Sequence, residues 1–353
     1  KEKIEIELDN KEKALAQAPV IVSASRSTDI PAFYCDWFFH RLKVGYSAWT
    51  NPFNGGKKMY VSYAKTRFIV FWSKNPRPLL EHIDELKARG IGCYVQYSLN
   101  DYEEEKLERG VPPLAERIET FKKLVDVLGK GSVIWRFDPL VLTEDITIEK
   151  LLNKIEIIGD QLKGYTEKLV FSFVDILSYN KVKNNLKANG ISFVDWTEEQ
   201  MAEFASRLVA LNKEKGWNYK LATCGERGRY PGVEPNHCID DELIIKKSFH
   251  DKELMNYLKA EIKPMPPRDM FTNTITLPEG AIILDSNHYA IRGDNRDKGQ
   301  REFCGCMKSK DIGQYNTCIH MCEYCYANTS QEAAAKNFKC HWENPWGETI
   351  TGK

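Results

Sequence analysis

Apolar and polar positions follow two rhythms along most of the chain. Short runs rich in β-branched and aromatic residues, at Val20–Ser25, Tyr46–Thr50, Arg67–Trp72, Cys93–Ser98, Val133–Phe137, Leu169–Val174 and Tyr219–Thr223, read as strands. Between them the apolar positions recur at helical spacing. Leu114, Ile118, Phe121, Leu124, Val125 and Leu128 would line one face of a helix. Further helices are expected over Pro31–Leu42, Pro76–Arg89, Ile148–Ile158 and Glu198–Glu214. The second of these carries proline in its first turn, where the missing N–H costs nothing.

This alternation predicts an α/β fold of βα units around a parallel sheet, as a full or partial (βα) TIM-type barrel. The rhythm stops near Pro264, where Pro266 and Pro267 follow and the stretch 285–300 turns polar. Residues 1–263 are therefore expected to form a barrel-like catalytic core. Residues 264–353 are expected to be a cysteine-rich extension packed on it.

Barrel enzymes carry their chemistry at the C-terminal ends of the strands. Here the strand ends lead into Arg26 and Asp29, Asn51 and Asn54, Lys74 and Asn75, Gln96 and Asn100, Arg136 and Asp138, Asp175, and Cys224 and Glu226. Any one of these is ordinary turn or cap composition. Together they outline a candidate rim. Trp72, Phe137 and Tyr97 are candidates to stack on a flat ligand, although Tyr97 fits a core position as well.

Lys+Arg and Asp+Glu both number 50, so the chain lacks the basic excess that marks proteins that wrap nucleic acid. A small-molecule substrate is the expectation. No apolar run is long enough to span a bilayer, and the cytoplasm is the expected compartment. In that setting ten cysteines point to metal or redox chemistry rather than disulfides.

Cys318, Cys322 and Cys325 form a C-x3-C-x2-C run with Tyr324 before the last cysteine. Three soft thiolates in one short loop can hold three irons of a [4Fe-4S] cluster and leave the fourth open. The alternative is zinc, with Cys340 or His341 as fourth ligand. Cys224, Cys238, Cys304 and Cys306 form a second set, able to ligate an auxiliary iron–sulfur cluster or a zinc ion, or else to pack as small apolar residues. Cys35 and Cys93 fall inside regular elements and read as core.

The cysteine run resembles the hallmark of the radical S-adenosylmethionine (SAM) superfamily, but it lies near the C-terminus rather than after the first strand. Cys304-Gly-Cys306, Asp311-Ile-Gly-Gln-Tyr-Asn-Thr-Cys318 and Cys325-Tyr-Ala-Asn328 are similar to the motifs of a smaller subgroup with that arrangement. The similarity extends to Arg26-Ser-Thr-Asp-Ile-Pro31, Phe71-Trp-Ser-Lys-Asn-Pro76 and Trp135-Arg-Phe-Asp-Pro139. The resemblance implies SAM bound at the open iron, its reductive cleavage to a 5′-deoxyadenosyl radical, and an electron donor such as flavodoxin or ferredoxin. It also implies queuine lyase activity, releasing the aminomethyl deazaguanine preQ1 from queuine. Arg26, Arg136 and Tyr324 are then candidates for SAM. Asp29, Trp72, Asp138, Asp175 and Glu226 are candidates for the deazaguanine base, whose paired N–H donors suit a carboxylate. Two other readings stay open: radical chemistry on a peptide or a nucleic-acid lesion, and a non-catalytic zinc-binding module.

Overall fold

Six of the apolar runs lie side by side, in chain order, as parallel strands: Ile21–Ala24, Phe68–Ser73, Gly92–Ser98, Val133–Leu140, Lys168–Phe173 and Lys220–Thr223. A two-residue strand extends each edge of this sheet. Glu234–Pro235 pairs with Lys220–Thr223, and Lys310–Asp311 pairs with Ile21–Ala24, so all eight strands are parallel. This computed structural model describes residues 2–50, 56–176, 180–224, 229–299 and 304–352, with the backbone alone for Asn180 and Lys181.

Among the described residues three smaller sheets accompany the large one. Lys3–Glu7, Lys13–Gln17, Lys58–Ser62 and Tyr46–Thr50 form a mixed four-stranded sheet. Leu142–Thr143 pairs with Phe193–Val194. Ala260–Pro264, His288–Arg292 and Ile282–Ile283 form an antiparallel trio that crosses the boundary expected near Pro264. The fold is therefore α/β with mixed parallel and antiparallel sheets. Tyr46–Thr50 does not join the parallel sheet, because its register is taken by antiparallel pairing with Lys58–Ser62. Nor is barrel closure seen: among the described residues, the edge strands Glu234–Pro235 and Lys310–Asp311 do not pair with each other.

Helices cover one face of the parallel sheet. Phe121, Leu124, Ile155, Phe204 and Leu208 pack there against Tyr97, Trp135, Phe137, Leu169 and Phe171. Each such side chain contributes about 1.5–3 kcal/mol by leaving water. On the other face, Ile21, Phe68, Val70, Ile134 and Val170 meet Ile244, Ile245, Leu254, Met255, Ile282 and Ala290. The latter come from helices Asp241–Ser248 and Lys252–Tyr257 and from the antiparallel trio. Strand periodicity of two decides which residues face which layer.

Helix ends follow local chemistry. Thr197 and Gln200 form a reciprocal capping box that starts Glu198–Glu214. The helix expected over Pro31–Leu42 is two helices, Ile30–Phe33 and Cys35–Val44, with Asp29 capping the first. The one expected over Pro76–Arg89 begins as a 3-10 turn, Arg77–Glu81, before helix Ile83–Ala88. Pro78 cannot donate within that turn. Among the described residues no helix is long and apolar enough to cross a membrane.

Candidate functional site

Alternation along the strands sends Ser23, Trp72, Gln96, Arg136, Ser172 and Cys224 to one face, near the C-terminal end of the sheet. They are wired together. Arg136 donates to Gln96 Oε1 at 3.2 Å and is paired with Asp138, which accepts from Ser172. Trp72 donates from Nε1 to Ser23 Oγ at 3.0 Å. The Arg26 and Arg136 guanidinium carbons lie 5.3 and 5.2 Å from the centroid of the Trp72 ring, within cation–π range.

The Lys310–Asp311 strand brings the cysteine loop to this end of the sheet. Asp311 accepts from Ser25 Oγ at 2.7 Å and from the Arg26 amide at 2.9 Å. The Tyr34 hydroxyl donates to the Thr317 carbonyl at 2.6 Å, and the Gly110 amide to the His320 carbonyl at 2.8 Å. Two glycines allow this docking. A Cβ at Gly313 would stand 1.8 Å from Ser25 Oγ, and one at Gly110 would stand 2.6 Å from the Ile319 carbonyl.

Within the loop, His320 is buried and its Nε2 lies 2.6 Å from Asp29 Oδ2. Asp29 also accepts the amides of Ala32 at 3.0 Å and Lys74 at 2.7 Å. Burial alone would raise the Asp29 carboxyl, but His320 and these hydrogen bonds hold it below the usual value. Beside it, Lys74 Nζ donates to Glu108 at 2.7 Å and to the Tyr324 hydroxyl at 3.0 Å. Tyr324 donates to Glu108, and Asn100 Nδ2 donates to Glu108 at 2.9 Å. Burial pushes Glu108 up, yet Lys74 and Arg117 outweigh it and bring the carboxyl down to about 2. Asn100 carries the network onward, its Oδ1 accepting the Asp138 amide at 2.8 Å.

Cys318, Cys322 and Cys325 are half-buried free thiols. Burial, with Asp29 and Cys325 nearby, pushes the Cys318 thiol up to about 12. Four sulfurs around one zinc at 2.3 Å would stand about 3.8 Å apart. Among the described residues, this triplet is not among the sets of three metal-ligating side chains whose donor atoms all fall within 4.8 Å. Of the proposed fourth zinc ligands, His341 is buried in helix Gln331–Glu343, with Nδ1 2.9 Å from the Ile350 carbonyl.

The second cysteine set also assembles. Cys224 and Cys238 sulfurs lie 2.8 Å apart, the Cys238 amide points at Cys306 Sγ at 3.2 Å, and Cys306 is hydrogen-bonded to Cys304. Arg136 and Asn236 point N–H donors at the Cys224 and Cys238 sulfurs.

Among the described residues, one set of three side chains reaches single-ion spacing. His237, Asp240 and Asp241 place their ligating atoms within 4.8 Å of one another and could hold one metal ion, a nitrogen–oxygen donor set of zinc type. Asp240 also caps helix Asp241–Ser248, and Asp241 is paired with Arg292 and Asn295. In the sequence this trio, not among the expected site residues, is marked only by a histidine three residues before an acidic pair.

The remaining candidates are scattered. Asp175 is exposed, and Glu226, like Asn51 and Asn54, lies outside the described residues. Tyr97 and Phe137 are fully buried on the helix-covered face, so neither stacks at the polar end. Cys35 and Cys93 lie in helix Cys35–Val44 and strand Gly92–Ser98. Lys74 belonged to the expected rim, whereas its buried neighbours Glu108 and His320 were not expected as site residues. His320 sits inside the cysteine run itself, whereas Glu108 had no signal beyond its type.

No curated protein and no solved structure matches the chain. Residues 21–327 match the family described as a domain of unknown function, DUF1848, a span that includes the parallel sheet and both cysteine sets. The chain belongs to the DUF1848 family.

Proposed function

We propose that this chain is a radical SAM enzyme whose [4Fe-4S] cluster is held by Cys318, Cys322 and Cys325. The observation that carries this reading is the loop. It brings three half-buried thiols to the polar end of a parallel sheet and ties them there through Asp29–His320 and Glu108–Tyr324. The donor set fits: soft thiolates suit iron and sulfide, and three leave one iron for the SAM amine and carboxylate. When bound, the reduced cluster and SAM supply a radical able to abstract hydrogen from a substrate.

The protein's own part is placement. Lys74 sets a positive charge beside Cys322 and Glu108, within a network that fixes Tyr324. Arg26 and Trp72 line the same end of the sheet, which we read as an incomplete barrel. Asp138 has its oxygens on Arg136 and Ser172, a pairing that a ligand with N–H donors can share. The resemblance and the even charge favour a deazaguanine base, with queuine cleaved to preQ1.

The test is anaerobic. Reduced protein, SAM and queuine are mixed and the products are read by mass. Release of 5′-deoxyadenosine together with preQ1 is expected, and both should vanish when Cys318, Cys322 and Cys325 are changed to Ala. SAM cleavage that survives in that variant sinks the proposal. Cleavage without preQ1 keeps the radical enzyme and discards the substrate.

The His237, Asp240 and Asp241 trio favours a second reading, a metal-binding module without radical chemistry. Protein that is colourless when purified without oxygen, carries zinc and leaves SAM intact would establish it.

A further inference from the structure

The structure assigns a four-thiolate metal centre to Cys224, Cys238, Cys304 and Cys306, placed where it ties together the two open edges of the parallel sheet. The four residues come from three separate stretches of sequence. Cys224 follows strand Lys220–Thr223 directly, and Cys238 follows the edge strand Glu234–Pro235 by three residues. Cys304 and Cys306 precede the opposite edge strand, Lys310–Asp311. Among the described residues those edges do not pair as strands. They meet through the Met307 amide, which donates to the Ile239 carbonyl at 3.0 Å, and through the sulfurs.

The sulfurs run in a row, with Cys224 on Cys238, Cys238 on Cys306 and Cys306 on Cys304. Packing as small apolar residues does not explain their surroundings. Arg136 and Asn236, both buried, aim N–H groups at Cys224 and Cys238. Arg26 stands close enough to Cys238, Cys306 and Cys304 to feel their charge. Buried cationic and N–H donors facing sulfur stabilise thiolate, not thiol, and metal-bound thiolates are commonly held by such donors. Four thiolates complete the coordination of zinc, or of an iron–sulfur cluster with no open iron, so this centre has no vacant position for SAM. Its place beside Arg136 puts it next to the polar end of the sheet rather than at a distant surface.

The proposal stands without the first cluster, and its test is made in the variant with Cys318, Cys322 and Cys325 changed to Ala. That protein, purified without oxygen and shown to be folded by circular dichroism, is expected to retain stoichiometric metal. Iron with sulfide identifies a cluster, and zinc without sulfide identifies a single ion. Adding Cys304→Ser and Cys306→Ser should remove it. The unsubstituted chain offers a second measurement that needs no variant. Alkylation of Cys304, read by peptide mass, should be slow until a chelator is added, and amide exchange at Met307 should then accelerate. A folded triple variant free of metal, residual metal that survives the two serines, or Cys304 alkylated at once in the unsubstituted chain would each overturn the assignment.

Discussion

His320 Nε2 lies 2.6 Å from Asp29 Oδ2, joining the middle of the C-terminal cysteine loop to the turn after the first strand of the parallel sheet. The two residues are 291 positions apart and both are buried. The same carboxylate caps helix Ile30–Phe33 and receives the Lys74 amide, so one side chain fixes three segments.

Asp29→Ala should therefore act on stability and metal content before it acts on any substrate. It removes a helix cap, worth about 1 kcal/mol, and leaves His320 and the Lys74 amide without their acceptor at roughly 1–3 kcal/mol each. Chemical denaturation and iron analysis of the purified variant check this. A stable, fully loaded Asp29→Ala protein would show that the pair is dispensable.

Glu108 predicts a pH dependence. Its carboxyl is held at about 2 in the folded chain against an ordinary 4.5. The unfolded chain thus takes up the proton first as pH falls, and the stabilisation present above about pH 4.5 is lost on the way down to about 2. The full effect is about 3 kcal/mol. Urea unfolding of metal-free protein should show wild type weakening across this window and Glu108→Gln changing less. Parallel profiles for the two proteins would count against the Lys74–Glu108 pairing as the cause.

Gly110→Ala should disturb the cysteine loop from outside it. The added Cβ would lie 2.6 Å from the Ile319 carbonyl and 2.8 Å from the His320 carbonyl, both backbone atoms that cannot rotate away. A loss of about 1–3 kcal/mol is expected, with lower iron occupancy after anaerobic reconstitution. Unchanged occupancy would mean that the loop holds its shape without the Gly110 contact.

Asp138→Asn separates placement from metal binding. Asp138 is tied to Arg136 and Ser172, and its amide to Asn100. Losing a charged hydrogen bond of roughly 1.5–3 kcal/mol should lower turnover of the substrate about 10- to 100-fold. Iron and sulfide content should stay constant. Iron lost in step with turnover would assign Asp138 a structural role instead.

Much of the scaffold was written in local sequence. The runs that became Ile21–Ala24, Phe68–Ser73 and Val133–Leu140 are apolar because both faces of a parallel strand are covered. The start of Glu198–Glu214 was readable because a capping box acts within one turn. The spacing of Cys318, Cys322 and Cys325 was readable for the same reason, since one short loop carries all three donors. Tertiary structure decided the rest. Tyr46–Thr50 has the composition of a sheet strand, and only its partner Lys58–Ser62 determines which sheet it joins. The open edge of the parallel sheet depends on where residues 236–299 and 304–309 lie between two-residue strands too short to signal themselves. Asp29 takes His320, from the far end of the chain, as its partner, and nothing in the local sequence of either residue marks that pairing. Hydrogen bonds and ion pairs between distant segments obey no spacing rule along the chain, so composition offers a polar residue and folding alone chooses its partner.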